Sequence, residues 1–237
     1  MLTRLLKRRT DEGIASEEGK GLFLTRAQDK RPQQFLLTIA GVEPKVGATH
    51  LALSLSAKAR QHNISVALII SRESFEALRC YYHLSIEDDV SCASGEIGQK
   101  SGAEAHEREP RQFASLMGVS VMSGILPGDL EGYQLVVWDC GSLPHAKRRF
   151  NRGDLCCLVS GGQAWELLPL NNFLQALDYE DAFKTAVIIR DVGESDFNYI
   201  KQQMAGRLNC LKLLHRPDCF DLSFREDLTA ILRLAGM

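Results

Sequence analysis

A short apolar run, Phe35–Ala40, leads into a glycine-bearing loop and then into a helical pattern that covers His50–Arg60. A strand, a loop and a helix in this order are the opening unit of an α/β fold. The next apolar run, Ile64–Ile70, predicts a second buried strand, and Glu73–His83 has the periodicity of a helix. These segments predict a βαβ unit with parallel strands, and such a sheet is covered by helices on both faces.

Apolar runs and helical patterns continue to alternate along the rest of the chain. Further runs predict strands at Val119–Met122, Gln134–Asp139, Leu155–Ser160, Thr185–Arg190 and Leu208–Leu214. Periodic segments predict helices at Ala164–Leu177, Glu194–Ala205 and Arg225–Leu234. The chain has 237 residues, which is long enough for one domain of this kind. We therefore expect an α/β fold with a mostly parallel sheet between two layers of helices.

Two polar segments are predicted to lie outside this core. Residues 1–32 combine basic residues with acids and glycines and show little periodicity, so we expect a flexible tail before a domain at 33–237. Residues 85–111 are rich in glycine, serine and glutamate, which predicts a mobile acidic loop. The opening segment, Met1–Arg9, places leucines on one helical side against basic residues. We favour a solvated start, and docking on a membrane or a partner groove is the alternative.

Charge and hydropathy exclude several classes of protein. The formal net charge of −2 gives no overall attraction to nucleic acid or anionic lipid, so any such binding must be regional. No run approaches the ~18 apolar residues that span a bilayer, and the N-terminus lacks the apolar core of a signal peptide. We expect a cytoplasmic protein, with a peripheral position at the inner face of the membrane if the first residues dock there.

The seven cysteines are spread through the chain without a CxxC pair, which favours reduced thiols over a disulfide framework. Two pairs, Cys80 with His83 and His215 with Cys219, have the spacing of half a zinc site. No second pair lies near either one in the sequence. We therefore favour buried free cysteines over a metal site.

The loop after the first predicted strand occupies the place where α/β folds bind phosphate, because backbone amides and the helix dipole favour an anion there. In a working P-loop, GxxxxGK[ST], a lysine neutralises the phosphates and the hydroxyl holds magnesium. Gly47 and Thr49 fit this spacing. Val42 takes the place of the first glycine, with Gly41 one residue earlier, and Ala48 takes the place of the lysine. The main cation of the site is therefore missing.

Residues Val42–Thr49 resemble the deviant Walker A motif, xKGGVGKT, of the ParA/MinD family of P-loop NTPases. The resemblance implies that family's fold, an ability to form a homodimer, and a site for ATP with Mg²⁺. In the family, the first lysine reaches the partner's nucleotide across the dimer, and Glu43 takes its place here. Lys45 falls on a glycine at the outer bend of the loop, where it is poorly placed to replace the lysine lost at Ala48. The motif is degenerate, and we expect ATP to bind weakly if it binds.

The resemblance to the family extends to later segments of the chain, where some of the family's residues are present and others are replaced. Asp139 ends a hydrophobic strand and resembles the Walker B aspartate, so the resemblance implies that it would hold Mg²⁺ together with Thr49. The family's catalytic aspartate follows the second strand, whereas this chain has Ser71 and Arg72 there. The adenine-contacting asparagine of the family falls on Ile189, which cannot form the hydrogen bonds of the base. We therefore expect no catalytic residue and no significant ATPase activity.

A basic cluster follows the Walker-B-like strand and contains Lys147, Arg148, Arg149 and Arg152. We favour a solvated loop, and the alternatives are a grip on nucleic acid, on an acidic partner, or on the chain's own acidic loop. Trp165 lies at the start of a predicted helix, directly after a strand end. An exposed Trp165 would be an interface anchor and a buried one would be ordinary packing, and the sequence leaves both open.

These observations imply a catalytically inactive ParA/MinD-like protein that recruits or positions protein partners. The resemblance implies a role in the spatial organisation of cell-envelope machinery, in secretion or pilus systems, or in DNA segregation. One alternative is a weak ATP-binding switch that uses Lys45, Thr49 and Asp139. The other is a DNA-binding protein of the segregation type that uses the basic cluster.

Overall fold

The computed structural model describes residues 34–85, 111–204, 208–214 and 216–237. The strands are β1 (Phe35–Gly41), β2 (Val66–Ile69), β3 (Gln112–Leu116), β4 (Val119–Ser123), β5 (Leu135–Ser142), β6 (Leu155–Gly161), β7 (Thr185–Arg190) and β8 (Asn209–Leu213). The helices are α1 (Ala48–Gln61), α2 (Arg72–Tyr82), α3 (Leu143–Phe150), α4 (Ala164–Gln175), α5 (Tyr179–Phe183), α6 (Glu194–Met204) and α7 (Glu226–Leu234). The predicted tail at 1–32 and almost all of the predicted acidic loop at 85–111 lie outside the described residues.

The described strands form one sheet in the order β3-β4-β2-β5-β1-β6-β7-β8. All neighbouring pairs are parallel except β3 and β4, which are antiparallel. The predicted α/β fold with a mostly parallel sheet is therefore confirmed. Because β1 lies between β5 and β6, the loops that follow these three strands meet at one edge of the sheet.

The central strands form the hydrophobic core. Leu37, Val137, Leu158 and Ile188 have no solvent exposure, and they lie on β1, β5, β6 and β7 respectively. Near-complete burial of both faces explains why these strands are continuous apolar runs without polar alternation. No helix of the described residues is long and apolar enough to cross a bilayer.

The cysteines of the described residues are free thiols, and all of them except Cys80 are buried. Burial raises the pKa of the Cys157 thiol, which has no solvent exposure. Cys219 lies 3.6 Å from the hydroxyl oxygen of Tyr82. Among the described residues, which do not include His215, no group of three or more His, Cys, Asp or Glu side chains could hold a metal ion.

The prediction that the basic cluster lies in a loop is wrong, because residues 143–150 form helix α3, although its basic side chains are exposed to solvent as predicted. Ala146 and Phe150 are fully buried and lie four residues apart, so they form an apolar stripe that docks this short helix on the sheet. Three basic residues, Lys147, Arg148 and Arg149, lie in its last turn, where the helix dipole favours positive charge.

Helix α7 is preceded by a buried ion pair that the sequence does not predict. Arg225 donates from Nε to Asp227 Oδ1 at 2.8 Å and from Nη2 to Asp227 Oδ2 at 3.0 Å. The two side chains are only 1% and 7% exposed. Asp227 Oδ2 also accepts a hydrogen bond from the backbone N–H of Leu214, so the pair ties the end of β8 to the start of α7.

Candidate functional site

The loop between β1 and α1, residues 42–47, folds back tightly over the end of its own strand. A Cβ atom on Gly41 would lie 2.5 Å from Val46 Cγ2 and 2.7 Å from the carbonyl oxygen of Glu43, so a glycine is required there. The backbone N–H of Val42 donates to the carbonyl oxygen of Val159 on β6 at 2.9 Å. The loop is therefore held against the strand ends at its first residue.

The N-terminus of helix α1 favours a bound anion. Gly47 is its N-cap with φ of 95°, and neither a side-chain cap nor an acidic residue occupies the first turn. The first amides of the helix therefore have no partner from a capping side chain, and together with the helix dipole they favour a negative group at this position. This part of the loop geometry depends on backbone groups and not on a side chain.

The side chains of the loop differ in their exposure to solvent. Glu43 and Lys45 are exposed, and Lys45 has φ of 67° at the outer bend. Ala48 is 8% exposed, and its methyl group faces the loop backbone near Gly41, at 3.8 Å from the position of a Cβ atom on that glycine. The position of the P-loop lysine is thus taken by a small apolar group.

The structure brings together the two residues that the resemblance assigns to Mg²⁺. Thr49 Oγ1 donates to Asp139 Oδ2 at 2.5 Å, and the backbone N–H of Gly141 donates to Asp139 Oδ1 at 3.0 Å. Burial raises the pKa of Asp139, and the hydrogen bonds from Thr49 and Gly141 and the charge of Arg149 oppose this rise. A hydroxyl and a carboxylate are oxygen ligands of the kind that Mg²⁺ prefers, so the donor chemistry fits the ion.

The residues after β2, where the resemblance implies a catalytic aspartate, begin helix α2. Ser71 is the N-cap of α2, and its Oγ accepts a hydrogen bond from the backbone N–H of Ser74 at 3.1 Å. Arg72 is the first residue of the helix and is exposed. Neither residue is a carboxylate that could orient a water molecule for attack on a phosphate.

Sequence reasoning missed one residue that reaches the loop, Arg190 at the end of β7. A Cβ atom on Gly47 would lie only 2.6 Å from Arg190 Nη1, so the guanidinium rests against the bare α-carbon of this glycine. The neighbouring position, Ile189, is fully buried in the core and does not face the loop. The signal was available in principle, because Arg190 ends a parallel strand at the same sheet edge as the loop.

A second surface consists of the exposed faces of α3 and α4. Trp165 and Leu168 lie about one turn apart on α4 and are 71% and 63% exposed, which excludes the packing interpretation of Trp165. The two helices are neighbours, because the rings of Phe150 and Phe173 meet edge to face with centroids 6.0 Å apart.

The basic residues of α3, together with Arg152, are exposed. Within the part of the chain that the structure describes, none of them has an ion-pair partner within 4.0 Å. They are Lys147, Arg148, Arg149 and Arg152. The guanidinium carbon of Arg152 lies 6.0 Å from the ring centroid of Trp138, a cation–π contact that holds this side chain against the sheet. The exposed side chains of α3 and Arg152 are therefore positively charged, whereas Trp165 and Leu168 on α4 are exposed apolar side chains.

A glycine-capped loop after the first strand of a parallel sheet, with Thr49 bonded to Asp139 on the neighbouring strand, defines a P-loop protein of the α/β class. Solved structures agree with this class. A ParA family ATPase from Chlorobium tepidum TLS is similar with a TM-score of 0.53 and 12% identity over 87% of this chain and 99% of that chain. The MinC:MinD cell division protein complex of Aquifex aeolicus gives a TM-score of 0.56 and 12% identity over 85% and 94% of the two chains.

The septum site-determining protein MinD of Pyrococcus horikoshii OT3, complexed with Mg-ADP, gives a TM-score of 0.53 and 11% identity over 86% of this chain and 95% of that chain. No protein-family model matches the sequence, and the curated proteins give no match to it either. At this level of identity the likeness shows the fold. The chain has the ParA/MinD-like P-loop NTPase fold, as the resemblance of the loop after β1 predicts.

Proposed function

We propose that this chain is a ParA/MinD-like protein that recruits or positions a protein partner and does not hydrolyse ATP. The proposal rests on one observation, which is that the loop after β1 keeps its backbone geometry while side chains expected for hydrolysis are replaced. Ala48 presents a methyl group where the P-loop lysine would neutralise phosphate charge, and Ser71 caps a helix where the catalytic aspartate would stand. Selection for hydrolysis would not tolerate both replacements, whereas a positioning role needs only the fold and an exposed surface.

The surface of α3 and α4 is the proposed site for the partner. Exposed tryptophan and arginine side chains are the residue types that contribute most to binding energy in protein interfaces. Trp165 and Leu168 supply the apolar part, and the exposed basic residues of α3 favour an acidic partner. The MinC:MinD complex is an instance of a similar fold that binds another protein.

A second candidate function, a weak ATP-binding switch, is favoured by the contact between Thr49 and Asp139. The hydroxyl and the carboxylate lie 2.5 Å apart, in the arrangement from which both would contact Mg²⁺ directly or through water. When bound, the ion would neutralise part of the phosphate charge that the absent lysine leaves uncompensated. Calorimetric titration separates the two functions, because Mg²⁺-dependent ATP binding by the wild type that is lost in Thr49→Ala supports the switch.

The absence of hydrolysis is tested by measuring phosphate release from ATP and Mg²⁺ by the purified protein. We expect no turnover above the background of an Asp139→Ala variant, which lacks the proposed magnesium carboxylate. Robust turnover that disappears in Asp139→Ala would contradict the proposal. This comparison also removes contaminating ATPases as an explanation, since they would be present in both preparations.

Partner recruitment is tested with matched surface variants. A partner of the wild type should be lost with Trp165→Ala and with Arg148→Glu, and kept with Tyr199→Ala, which removes another exposed aromatic ring, on α6. The purified pair should then bind directly with the same pattern. Binding to DNA that weakens steeply with salt and disappears with Arg148→Glu would instead favour the segregation-type alternative.

A further inference from the structure

Strand β3 is the outermost strand on one side of the sheet, and within the described residues it pairs only with β4. Met117 and Gly118 join the two strands with φ of 52° and 75°, which is the type I′ geometry of a two-residue hairpin. In such a hairpin the residues that flank the turn exchange two hydrogen bonds, and such pairs alternate with pairs that exchange none. The backbone N–H and C=O groups of Phe113 and Ser115 therefore point away from β4.

The outer edge of β3 lacks the features by which proteins prevent strands from pairing between molecules, such as a lysine or a proline on the strand. Gln112–Leu116 includes no charged residue and no proline. The charge of the preceding residue, Arg111, is paired, because its Nη2 atom lies 3.3 Å from Asp129 Oδ2. The edge strand on the other side of the sheet, β8, does include a lysine, Lys212. Of the two edge strands, β3 is therefore the one open to pairing with another strand.

Side-chain contacts hold β3 in place on the sheet. Gln112 Nε2 donates to Glu76 Oε1 on α2 at 2.7 Å, and Ser123 Oγ on β4 donates to Gln112 Oε1 at 2.9 Å. Ala114 and Leu116 are buried on the same face of the strand as Gln112. The outward backbone groups are therefore already arranged in an extended strand, so a second strand can bind without the entropic cost of ordering β3.

We propose that two copies of this chain pair through β3, in antiparallel orientation, about a two-fold axis at Ala114. Phe113 of one copy then lies opposite Ser115 of the other, and the same pair recurs on the other side of the axis. Both pairs exchange backbone hydrogen bonds through the groups that point away from β4. Ala114 lies on the axis, where opposed residues approach to about 4.5 Å between Cα atoms, and its small side chain permits this approach.

The strand itself fixes the position of the axis. An axis one residue away would require Arg111 or Met117 to take part in the pairing. Arg111 lies outside β3, and Met117 has φ of 52°, so neither continues the extended strand. The resulting dimer differs from the homodimer that the ParA/MinD resemblance implies, because that homodimer forms across the nucleotide site after β1. In the sheet, β4, β2 and β5 separate β3 from β1.

The test is the mass of the full-length protein in solution, measured by analytical ultracentrifugation over a range of concentrations, in EDTA and without nucleotide. The wild type should change from one chain to two as the concentration rises. Ser115→Pro removes the outward N–H without removing a bond to β4, and the dissociation constant of the dimer should rise at least about 10-fold. Ser115→Ala keeps this N–H and should associate like the wild type.

Charge gives a second pair of variants. Ser115→Lys places positive charge from both copies close to the axis, so the dimer should weaken by about 10-fold or more. Asn209→Lys adds the same charge at an exposed position of β8 and should leave association unchanged. If Ser115→Pro does not fold, Ser115→Lys and Asn209→Lys decide the question.

Amide hydrogen exchange locates the interface. The N–H groups of Phe113 and Ser115 should exchange more slowly as the protein concentration rises, whereas that of Ala114, which faces β4, should exchange at a rate independent of concentration. A wild type that remains a single chain up to about 1 mM would overturn the proposal. A dimer that Ser115→Pro and Ser115→Lys leave intact, or one that forms only with ATP and Mg²⁺, would also overturn it. These results are independent of ATP turnover and of partner binding through Trp165, which test the proposed function.

Discussion

Replacing Ala48 by lysine introduces the residue that the P-loop pattern requires, and it tests whether this one cation would strengthen the weak ATP binding that we expect. The surroundings of this position already suit a nucleotide. Gly47 caps α1 with φ of 95°, and Thr49 Oγ1 lies 2.5 Å from Asp139 Oδ2. Ala48 is the first residue of the helix, so a longer side chain there can lie along the loop towards a bound phosphate.

The expected gain follows from the charge that the substitution adds. At an effective dielectric constant of about 20, two opposite unit charges about 4 Å apart attract each other by about 4 kcal/mol. Ordering a lysine side chain costs up to about 2 kcal/mol, which leaves roughly 2 kcal/mol. A charge-assisted hydrogen bond has the same net value of ~1.5–3 kcal/mol. The dissociation constant of Mg-ATP should therefore fall by ~10–150-fold in Ala48→Lys.

The assay is a calorimetric titration of ATP in the presence of Mg²⁺, and Ala48→Met is the matched control because it adds a chain of similar reach without charge. Ala48→Lys should still not hydrolyse ATP, since Ser71 and Arg72 remain where the catalytic aspartate would stand. An equal gain in Ala48→Met, or no gain in an Ala48→Lys protein that melts like the wild type, would refute the electrostatic reasoning.

Two further predictions concern the scaffold that holds the site. Gly41→Ala should lower the free energy of unfolding, measured with urea, by ~1–3 kcal/mol, because the new Cβ atom would lie 2.5 Å from Val46 Cγ2. Gly128→Ala is the control and should change this free energy little, because no heavy atom lies within 4 Å of the position of its Cβ atom. Asp227→Ala should cost ~3–5 kcal/mol, because it leaves the 1%-exposed guanidinium of Arg225 without its carboxylate, and thermal melting together with urea titration measures this loss. A loss below about 1 kcal/mol would mean that water or another group compensates the buried charge.

Helical and strand elements with strong apolar patterns could be predicted from the sequence, often to within one or two residues. Thr185–Arg190 is a strand with the predicted bounds, and the predicted Glu73–His83 helix spans Arg72–Tyr82. The segment 143–150 could not be predicted as a helix, because its exposed basic residues hide a short stripe of three buried side chains, Leu143, Ala146 and Phe150. The antiparallel edge strand β3 was missed for a related reason, since its burial alternates and it begins directly after the acidic segment.

The residues of the candidate site were also predicted only in part from the sequence. The resemblance of the loop located Gly41, Gly47, Thr49 and Asp139, and the structure brings the last two into contact. The proposed partner surface was half predicted, because the exposure of Trp165 depends on how α4 packs and cannot be derived from a helical pattern with weak amphipathicity.

The sequence by itself determined the parallel α/β architecture and the presence of Ala48 between Gly47 and Thr49, because apolar periodicity and the spacing of a local motif act between residues that are near in the chain. Only the tertiary structure decided that Arg190 lies against Gly47, 143 positions away in the numbering. The order of strands in the sheet sets this contact, and that order results from packing between distant segments. The position of this guanidinium is therefore a property of the fold and cannot be derived from the loop alone.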